Sequence, residues 1–388
     1  MRELRHSHLR VALPILALSL ACSASDGSTD DVASTTGGSG GASSDATGSA
    51  TTAGTLPTGT SNPDTGTSLS DTTDDPGDST AASETSGSGS SADGSDSTTG
   101  PGVPLGPSPG CGNSTQAPGS FVGIEVDVGG LTRTFNLVVP PAHDGETPIP
   151  LVLAFHGWFL NAQTQANMSQ MSVTANERGF AIAYPQGVGE SWNAGSCCGT
   201  AFDQGVDDVA FTRALVQQAG EALCLDQSRI YATGFSNGGF MSHRLACEAS
   251  DVFAAIGPVA GVLMIPDAEC TPPRAVPVMH FHGTDDLSVA FGGNGKVPHI
   301  SVAVSTADWV ARNGCDPDPE VTFQQADTTC ETWSNCGDDG AEVILCTIEG
   351  MGHCWPGDPV CTGLMDTPSL TLPASDALAD FFEAHPMP

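Results

Sequence analysis

Arg229-Ile230-Tyr231-Ala232-Thr233-Gly234-Phe235-Ser236-Asn237-Gly238 decides how the chain is read. Its first half is β-rich, and a helical pattern from Gly239 to Ala249 follows it, so Ser236 stands on a strand-to-helix turn. That is the setting of a nucleophile elbow, a turn so tight that the residues two places either side of the serine must lack side chains. The helix beginning just beyond it aims backbone N–H groups at any oxyanion formed there. The five-letter pattern alone carries little: Gly37-Gly38-Ser39-Gly40-Gly41 fits it equally well in a low-complexity tract with neither strand nor helix.

Outward from the elbow, strands and helices alternate. Upstream, Phe121 to Val128 and Thr132 to Val139 read as strands joined at Gly129-Gly130. The nearly continuous apolar run Ile149 to Phe155 has the character of a strand buried on both faces of a parallel sheet, and it ends in His156-Gly157-Trp158. A helix is expected over Gln163 to Arg178, a strand over Phe180 to Tyr184, and a helix over Val206 to Leu223. Downstream come strands at Ala254 to Val259, Val276 to Phe281 and Glu342 to Ile348, with helices near Ser301 to Arg312 and Ser375 to Ala384. The expectation is an α/β fold, a mostly parallel sheet with helices on both faces and active loops at the strand ends.

In such a fold an elbow serine is followed in chain order by an acid and then a histidine, each after its own strand. His282-Gly283-Thr284-Asp285-Asp286 and Glu349-Gly350-Met351-Gly352-His353 fall where these are needed. His353 would take the Ser236 proton, and the acid would fix its tautomer. Only one of the two adjacent aspartates can point inward; Asp286 is the choice, with Asp285 as the alternative. His299 and His385 are rivals for the base, in a loop and near the end of the chain. His156 and His282 read as histidines hydrogen-bonded within turns, and His280 as a core histidine. The oxyanion hole is expected from the backbone N–H groups of Trp158 and Asn237. Trp158, Trp192 and Trp355 are candidates to wall a pocket for an aromatic or apolar acyl group; the competing reading packs each of them in the core. The chemistry needs only preorganised side chains and backbone, so no cofactor is implied.

Composition bounds the rest. Residues 1–22 carry Arg2, Arg5 and Arg10 ahead of an apolar run, Val11 to Leu20, about half the length a membrane-spanning helix needs, and read as an export signal. Leu20-Ala21-Cys22 resembles the end of a bacterial lipoprotein signal, with Ser19 where that pattern prefers an aliphatic residue; lipidation at Cys22 and plain cleavage near Ala24 are the two readings. Residues 23–110 are Ser, Thr, Gly, Asp and Pro with almost no large apolar residue, and are expected to be a disordered acidic linker ahead of one folded domain, 111–388. The formal net charge of −34, from 11 basic and 45 acidic residues, opposes binding to nucleic acid or to an anionic membrane surface and favours a neutral substrate. Of 13 cysteines, 13 − 1 = 12 remain beyond Cys22, an even number that behind an export signal reads as a disulfide framework. Adjacent Cys197-Cys198 and the spacing of Cys330 and Cys336 do not suit a zinc site, and no metal is expected. The protein is expected to be a monomer.

Taken as a set, Cys111-Gly112, Phe155-His156-Gly157, Tyr184-Pro185-Gln186-Gly187, Ser191-Trp192-Asn193-Ala194-Gly195, Val206-Asp207-Asp208-Val209-Ala210-Phe211, Gly234 to Gly239, His282 to Asp286 and Gly352-His353-Cys354-Trp355-Pro356-Gly357 resemble the secreted esterases that include feruloyl esterases and polyhydroxybutyrate depolymerases, a branch of the α/β-hydrolases. The resemblance implies an α/β-hydrolase fold and a triad of Ser236, Asp286 and His353. Asp207 and Asp208 match the family pattern too, and read as helix-start and loop-anchoring residues. Tannase-like feruloyl esterases carry a cysteine directly before the serine and another directly after the histidine; here Cys354 is present but Phe235 precedes Ser236, so that disulfide cannot form. The implied function is an exported serine carboxylic-ester hydrolase, with hydroxycinnamate esters of plant polysaccharide as first choice and hydroxyalkanoate polyesters or acetyl esters as the alternative. A surface binding protein on a spent hydrolase fold is the reading from another class.

Overall fold

The hairpin expected at Gly129-Gly130 forms, with β1 (Gly119–Val128) antiparallel to β2 (Leu131–Val139). The apolar runs that follow become the centre of the sheet: β3 (Ile149–Phe155), β4 (Ala181–Pro185), β5 (Leu225–Phe235), β6 (Ala255–Val259) and β7 (Val278–Gly283). Every residue of β4, β6 and β7 is buried, as a parallel sheet covered on both faces requires. β8 (Glu320–Gln325), β9 (Thr328–Trp333) and β10 (Val343–Ile348) complete ten strands in the order β1-β2-β4-β3-β5-β6-β7-β10-β9-β8. The strands from β4 to β10 in that order run parallel, and an antiparallel pair closes each edge. The hairpin β8–β9 was not expected from the sequence; β8 is exposed along nearly its whole length and offers no apolar periodicity to read.

The computed structural model describes residues 106–388 except 297, 338–339 and 362–365, all within one compact unit, Ala92–Pro388. The export signal expected at 1–22, the lipidation expected at Cys22 and residues 23–105 of the linker expected over 23–110 lie outside the described residues. Ordered contacts begin slightly before residue 111: Pro107 bridges to Asp226, and buried Ser108 accepts from the Leu225 N–H and donates to the Leu223 carbonyl. Among the described residues no helix is long and apolar enough to cross a membrane.

Among the described residues seven α-helices accompany the sheet: α1 (Ala162–Ser169), α2 (Met171–Arg178), α3 (Gly199–Asp203), α4 (Asp208–Ala222), α5 (Asn237–Glu248), α6 (Val302–Asn313) and α7 (Ala374–Ala384). The single helix expected over 163–178 is split at Gln170, which adopts a left-handed conformation, φ 51°. The Ser169 carbonyl is taken there by the Ser375 hydroxyl at 2.6 Å, and Thr174 donates to Asp376, so the break seats α2 on α7. Close helix-on-sheet approach has a visible cause at Gly257, where a Cβ would fall 2.3 Å from Leu378 of α7.

The cysteines beyond Cys22 pair as Cys111–Cys224, Cys197–Cys198, Cys247–Cys270, Cys315–Cys336, Cys330–Cys346 and Cys354–Cys361. The first closes a 113-residue span, which in a chain-entropy picture is worth about 4–5 kcal/mol. Each described arginine is engaged internally: Arg133, Arg178, Arg213, Arg229, Arg244 and Arg312 with carboxylates, and Arg274 with the carbonyls of Ser250, Phe253, Ala254 and Ala275.

Candidate active site

β5 delivers the chain to Ser236, and α5 starts one residue later. Between them Ser236 takes φ 56°, ψ −117°, a conformation that costs a residue with a Cβ on the order of 1–3 kcal/mol. The glycines are required by the packing of the turn on itself: a Cβ on Gly234 would meet the Gly238 carbonyl at 2.4 Å, and one on Gly238 would meet the Phe155 carbonyl at 2.1 Å. Ser236 is half-buried, and its N–H donates to the Val259 carbonyl at 2.9 Å.

The end of β3 lies directly against this turn, since a Cβ on Gly157 would fall 3.3 Å from the Ser236 Cβ. The Trp158 N–H is thus on the loop beside the nucleophile, and Asn237, at the first position of α5, presents an N–H that helix geometry leaves without an intrahelical partner. The Asn237 side chain is committed elsewhere. It accepts from the Trp192 N–H at 2.7 Å and donates to the Trp192 carbonyl at 3.1 Å, and the Trp192 indole donates to the His156 carbonyl at 2.9 Å. Trp192 therefore ties the elbow to the loop after β3. It is fully buried, edge-on to Phe155 at 5.2 Å and parallel to Phe211, and does not wall an open pocket. Trp355 is likewise a core residue, its indole donating to Ser375 under α7. Of the three pocket candidates only Trp158, 37% exposed, reaches the surface.

Asp286 follows β7 and is buried, whereas Asp285 is exposed. One Asp286 oxygen accepts the N–H groups of Ser288 and Val289, both at 2.8 Å; the other accepts His353 Nδ1–H at 2.6 Å. Burial pushes this carboxyl up, but bonds from His282 and His353 outweigh it and hold the group below the usual carboxylate range. With Nδ1 given to Asp286, Nε2 of His353 is the nitrogen left to act as a base. The Phe235 ring, directly before Ser236, packs against the His353 ring with centroids 4.6 Å apart. Where a cysteine bridge was ruled out, an aromatic contact links elbow and histidine, and Cys354 pairs instead with Cys361. The glycines beside His353 differ in purpose: Gly350 has φ +73°, while a Cβ on Gly352 would fall on the Asp366 carboxylate, which accepts the His353 N–H at 2.8 Å. Asp366 was not singled out from the sequence, and no motif marks it.

The other histidines are placed apart from this pair or behind it. His156 is buried; its Nε2 accepts the Gly187 N–H at 3.0 Å and its Nδ1 donates to the Gly157 carbonyl, and burial pulls its pKa down to about 4. His282 donates from Nε2 to the Val289 carbonyl at 2.7 Å and lies 3.4 Å from the Asp286 carboxylate, while its Nδ1 pairs with His280 Nε2 at 3.0 Å. Since His282 Nε2 carries its proton, its Nδ1 accepts from His280, and the two rings back the acid in a defined tautomer. His299 bonds the Ile300 carbonyl within its own loop, and His385 sits against Glu342. Asp207 caps α4 by accepting the Ala210 N–H, and buried Asp208 pairs with Arg133 at 2.8 Å while accepting the Asn193 N–H. Among the described residues no cluster of three or more His, Cys, Asp or Glu side chains is placed to hold a metal ion.

A buried carboxylate bonded to one nitrogen of an imidazole that packs on Phe235, next to a serine at a strained strand-to-helix turn, supplies the groups that acyl transfer uses. The protein-family model described as "Esterase PHB depolymerase" matches residues 133–290, which include Arg133, Asp208, Ser236 and Asp286 and end before His353. Feruloyl esterase B of Piromyces equi is 33% identical over 228 residues, covering 55% of this chain and 41% of that protein, so the chain spans less than half of that relative's length. "Putative esterase NocK" of Nocardia uniformis subsp. tsuyamanensis is 32% identical over 279 residues, covering 66% of this chain and 81% of the relative. Poly(3-hydroxyalkanoate) depolymerase C of Paucimonas lemoignei is 26% identical over 245 residues, covering 54% of this chain and 56% of that protein. The chain belongs to the Esterase PHB depolymerase family.

Proposed function

We propose that the protein is an exported serine carboxylic-ester hydrolase whose Ser236, His353 and Asp286 work as a triad, with hydroxycinnamate esters of plant polysaccharide as the substrate class. The observation that carries this reading is the Asp286–His353 bond of 2.6 Å behind the strained Ser236 turn. Ser236 Oγ attacks the ester carbonyl carbon and passes its proton to His353 Nε2. The carbonyl oxygen becomes an oxyanion held by the N–H groups of Asn237 and Trp158. As the C–O bond to the alcohol breaks, His353 returns that proton to the leaving oxygen. Water, deprotonated by the same nitrogen, then hydrolyses the acyl-enzyme and frees a carboxylic acid. Asp286 keeps Nδ1 protonated and stabilises the imidazolium in both halves.

The feruloyl choice is supported by the relative from Piromyces equi and by the exposed Trp158 at the mouth of the site. A polyester substrate is the second reading, supported by the relative from Paucimonas lemoignei and by the family's description. Disulfides throughout the folded part favour an oxidising, extracellular setting, and the acidic surface favours a neutral ester over nucleic acid or anionic lipid, with a lipid at Cys22 as the membrane link.

Hydrolysis of methyl ferulate beside a soluble hydroxybutyrate oligomer, with Ser236→Ala as control, tests the reading. Loss of turnover by about 10⁶ is expected in the control, and a loss of less than tenfold would sink the mechanism. Cleavage of the hydroxybutyrate ester alone would move the substrate to the second reading. Failure of a serine-directed phosphonate to label Ser236 in the folded protein would favour a non-catalytic binding role.

A further inference from the structure

Phe159 is 71% exposed and stands one residue beyond Trp158, with their rings stacked at 4.5 Å and 14° between planes. Phe159 also has φ 64°, an outlier for an aromatic residue, and its N–H is held by the Glu190 carbonyl at 2.9 Å. The Trp158 indole lies against the start of α3: a Cβ on Gly199 would fall 2.6 Å from its Nε1. An exposed ring on a strained backbone costs stability without contributing to the core, and outliers of this kind gather at ligand sites. We propose that Phe159, stacked on Trp158, is the specificity residue for the acyl half of the ester and receives the flat face of an aromatic acyl group.

The proposal rests on the ester-hydrolase reading, and stereochemistry assigns the half. In the tetrahedral intermediate the reacting carbon carries the Ser236 oxygen, the oxyanion, the leaving alcohol oxygen and the acyl chain. His353 must reach both the serine oxygen and the leaving oxygen, so the alcohol lies on the His353 side. The oxyanion points to the Trp158 and Asn237 N–H groups. The acyl chain is the remaining substituent, and the loop that carries the aromatic pair adjoins the nucleophile's turn at Gly157, where a Cβ would fall 3.3 Å from the Ser236 Cβ. The exposed face of the Phe159 ring suits a planar conjugated acyl group and offers a short aliphatic one no stacking partner.

The test varies the acyl group while holding the alcohol constant. With methyl ferulate and methyl propionate as substrates, Phe159→Ala is expected to lower the ratio of the two kcat/KM values about tenfold, mainly through KM for the ferulate ester; a tenfold change is about 1.4 kcal/mol, within what aromatic stacking supplies. Phe159→Tyr is expected to restore the ratio. A ratio unchanged within about twofold in Phe159→Ala would overturn the proposal. Calorimetric titration of methyl ferulate into Ser236→Ala, with and without Phe159→Ala, reads the same contact without turnover, and the second substitution should weaken binding about tenfold. If the wild-type protein cleaves neither ester yet binding still depends on Phe159, the ester-hydrolase reading fails and the aromatic shelf stands. If cleavage occurs and neither readout moves, the shelf fails and the hydrolase stands.

Discussion

Asp207-Asp208 and Asp285-Asp286 are the same dipeptide twice, and the fold treats them alike up to a point. In each the first residue is exposed and the second is buried. Asp208 faces Arg133 at 2.8 Å and pins the backbone of Asn193; Asp286 faces His353 at 2.6 Å and is gripped by two backbone N–H groups. Their acidities part in opposite directions. Burial raises the Asp208 carboxyl despite the guanidinium, whereas the histidine bonds on Asp286 outweigh its burial and lower it. The partner decides the role. An arginine does not give up its proton in a protein, so Asp208–Arg133 is a fixed strut, and the Arg133 guanidinium 4.0 Å from the Phe211 ring belongs to the same packing. A histidine exchanges its proton within the working range, so the second pair is the one suited to the proposed reaction cycle.

Substitutions can break this contrast. Asp286→Asn is expected to lower kcat by about 10⁴ with the protein still folded, because the amide stabilises the wrong imidazole tautomer; steady-state rates beside a thermal melt check it, and a loss below tenfold would erase the distinction between the pairs. Arg133→Met should do the reverse. It leaves Asp208 buried without its cation and is expected to cost about 3–5 kcal/mol of stability at neutral pH, while the rate per folded molecule stays within a few-fold. The urea midpoint reports the loss. Its pH dependence has a definite sign: protonation removes the uncompensated charge, so the deficit should shrink as pH falls through the raised Asp208 pKa and be largest above it. A deficit that grows on acidification would mean that Asp208 is not its source.

How far the sequence reached differs from one part of the site to another. The elbow was legible because Gly234 and Gly238 are demanded by backbone contacts within the turn, and such local constraints leave a mark in the letters. Asp286 was marked over Asp285 by the resemblance, in which the acid follows His-Gly-Thr and one further residue; the inward turn itself depends on the Ser288 and Val289 N–H groups and on His353. The burial of Trp192 and Trp355 was not, because it depends on Phe211 and Ser375, which the chain brings up from other elements. Disulfide partners depend in the same way on approach between distant segments, as Cys111 and Cys224 show. Gln170 carries no glycine or proline to announce the break between α1 and α2. Phe159 did leave a signal, a second aromatic directly after Trp158 at a strand end.

The internal pairing of every described arginine bears on what happens after the bond is cut. The proposed reaction turns a neutral ester into an anion on a chain whose formal charge is −34. With its guanidiniums tied to carboxylates and carbonyls, the body offers the departing acid a field of like sign, which drives it away from the mouth of the site. Inhibition by free ferulate should accordingly weaken as salt is removed and strengthen as salt screens the carboxylates; an inhibition constant indifferent to ionic strength would show that the field does not reach the site. Turnover in dilute, low-salt water would then be self-clearing, each product expelled by the charge it has just acquired.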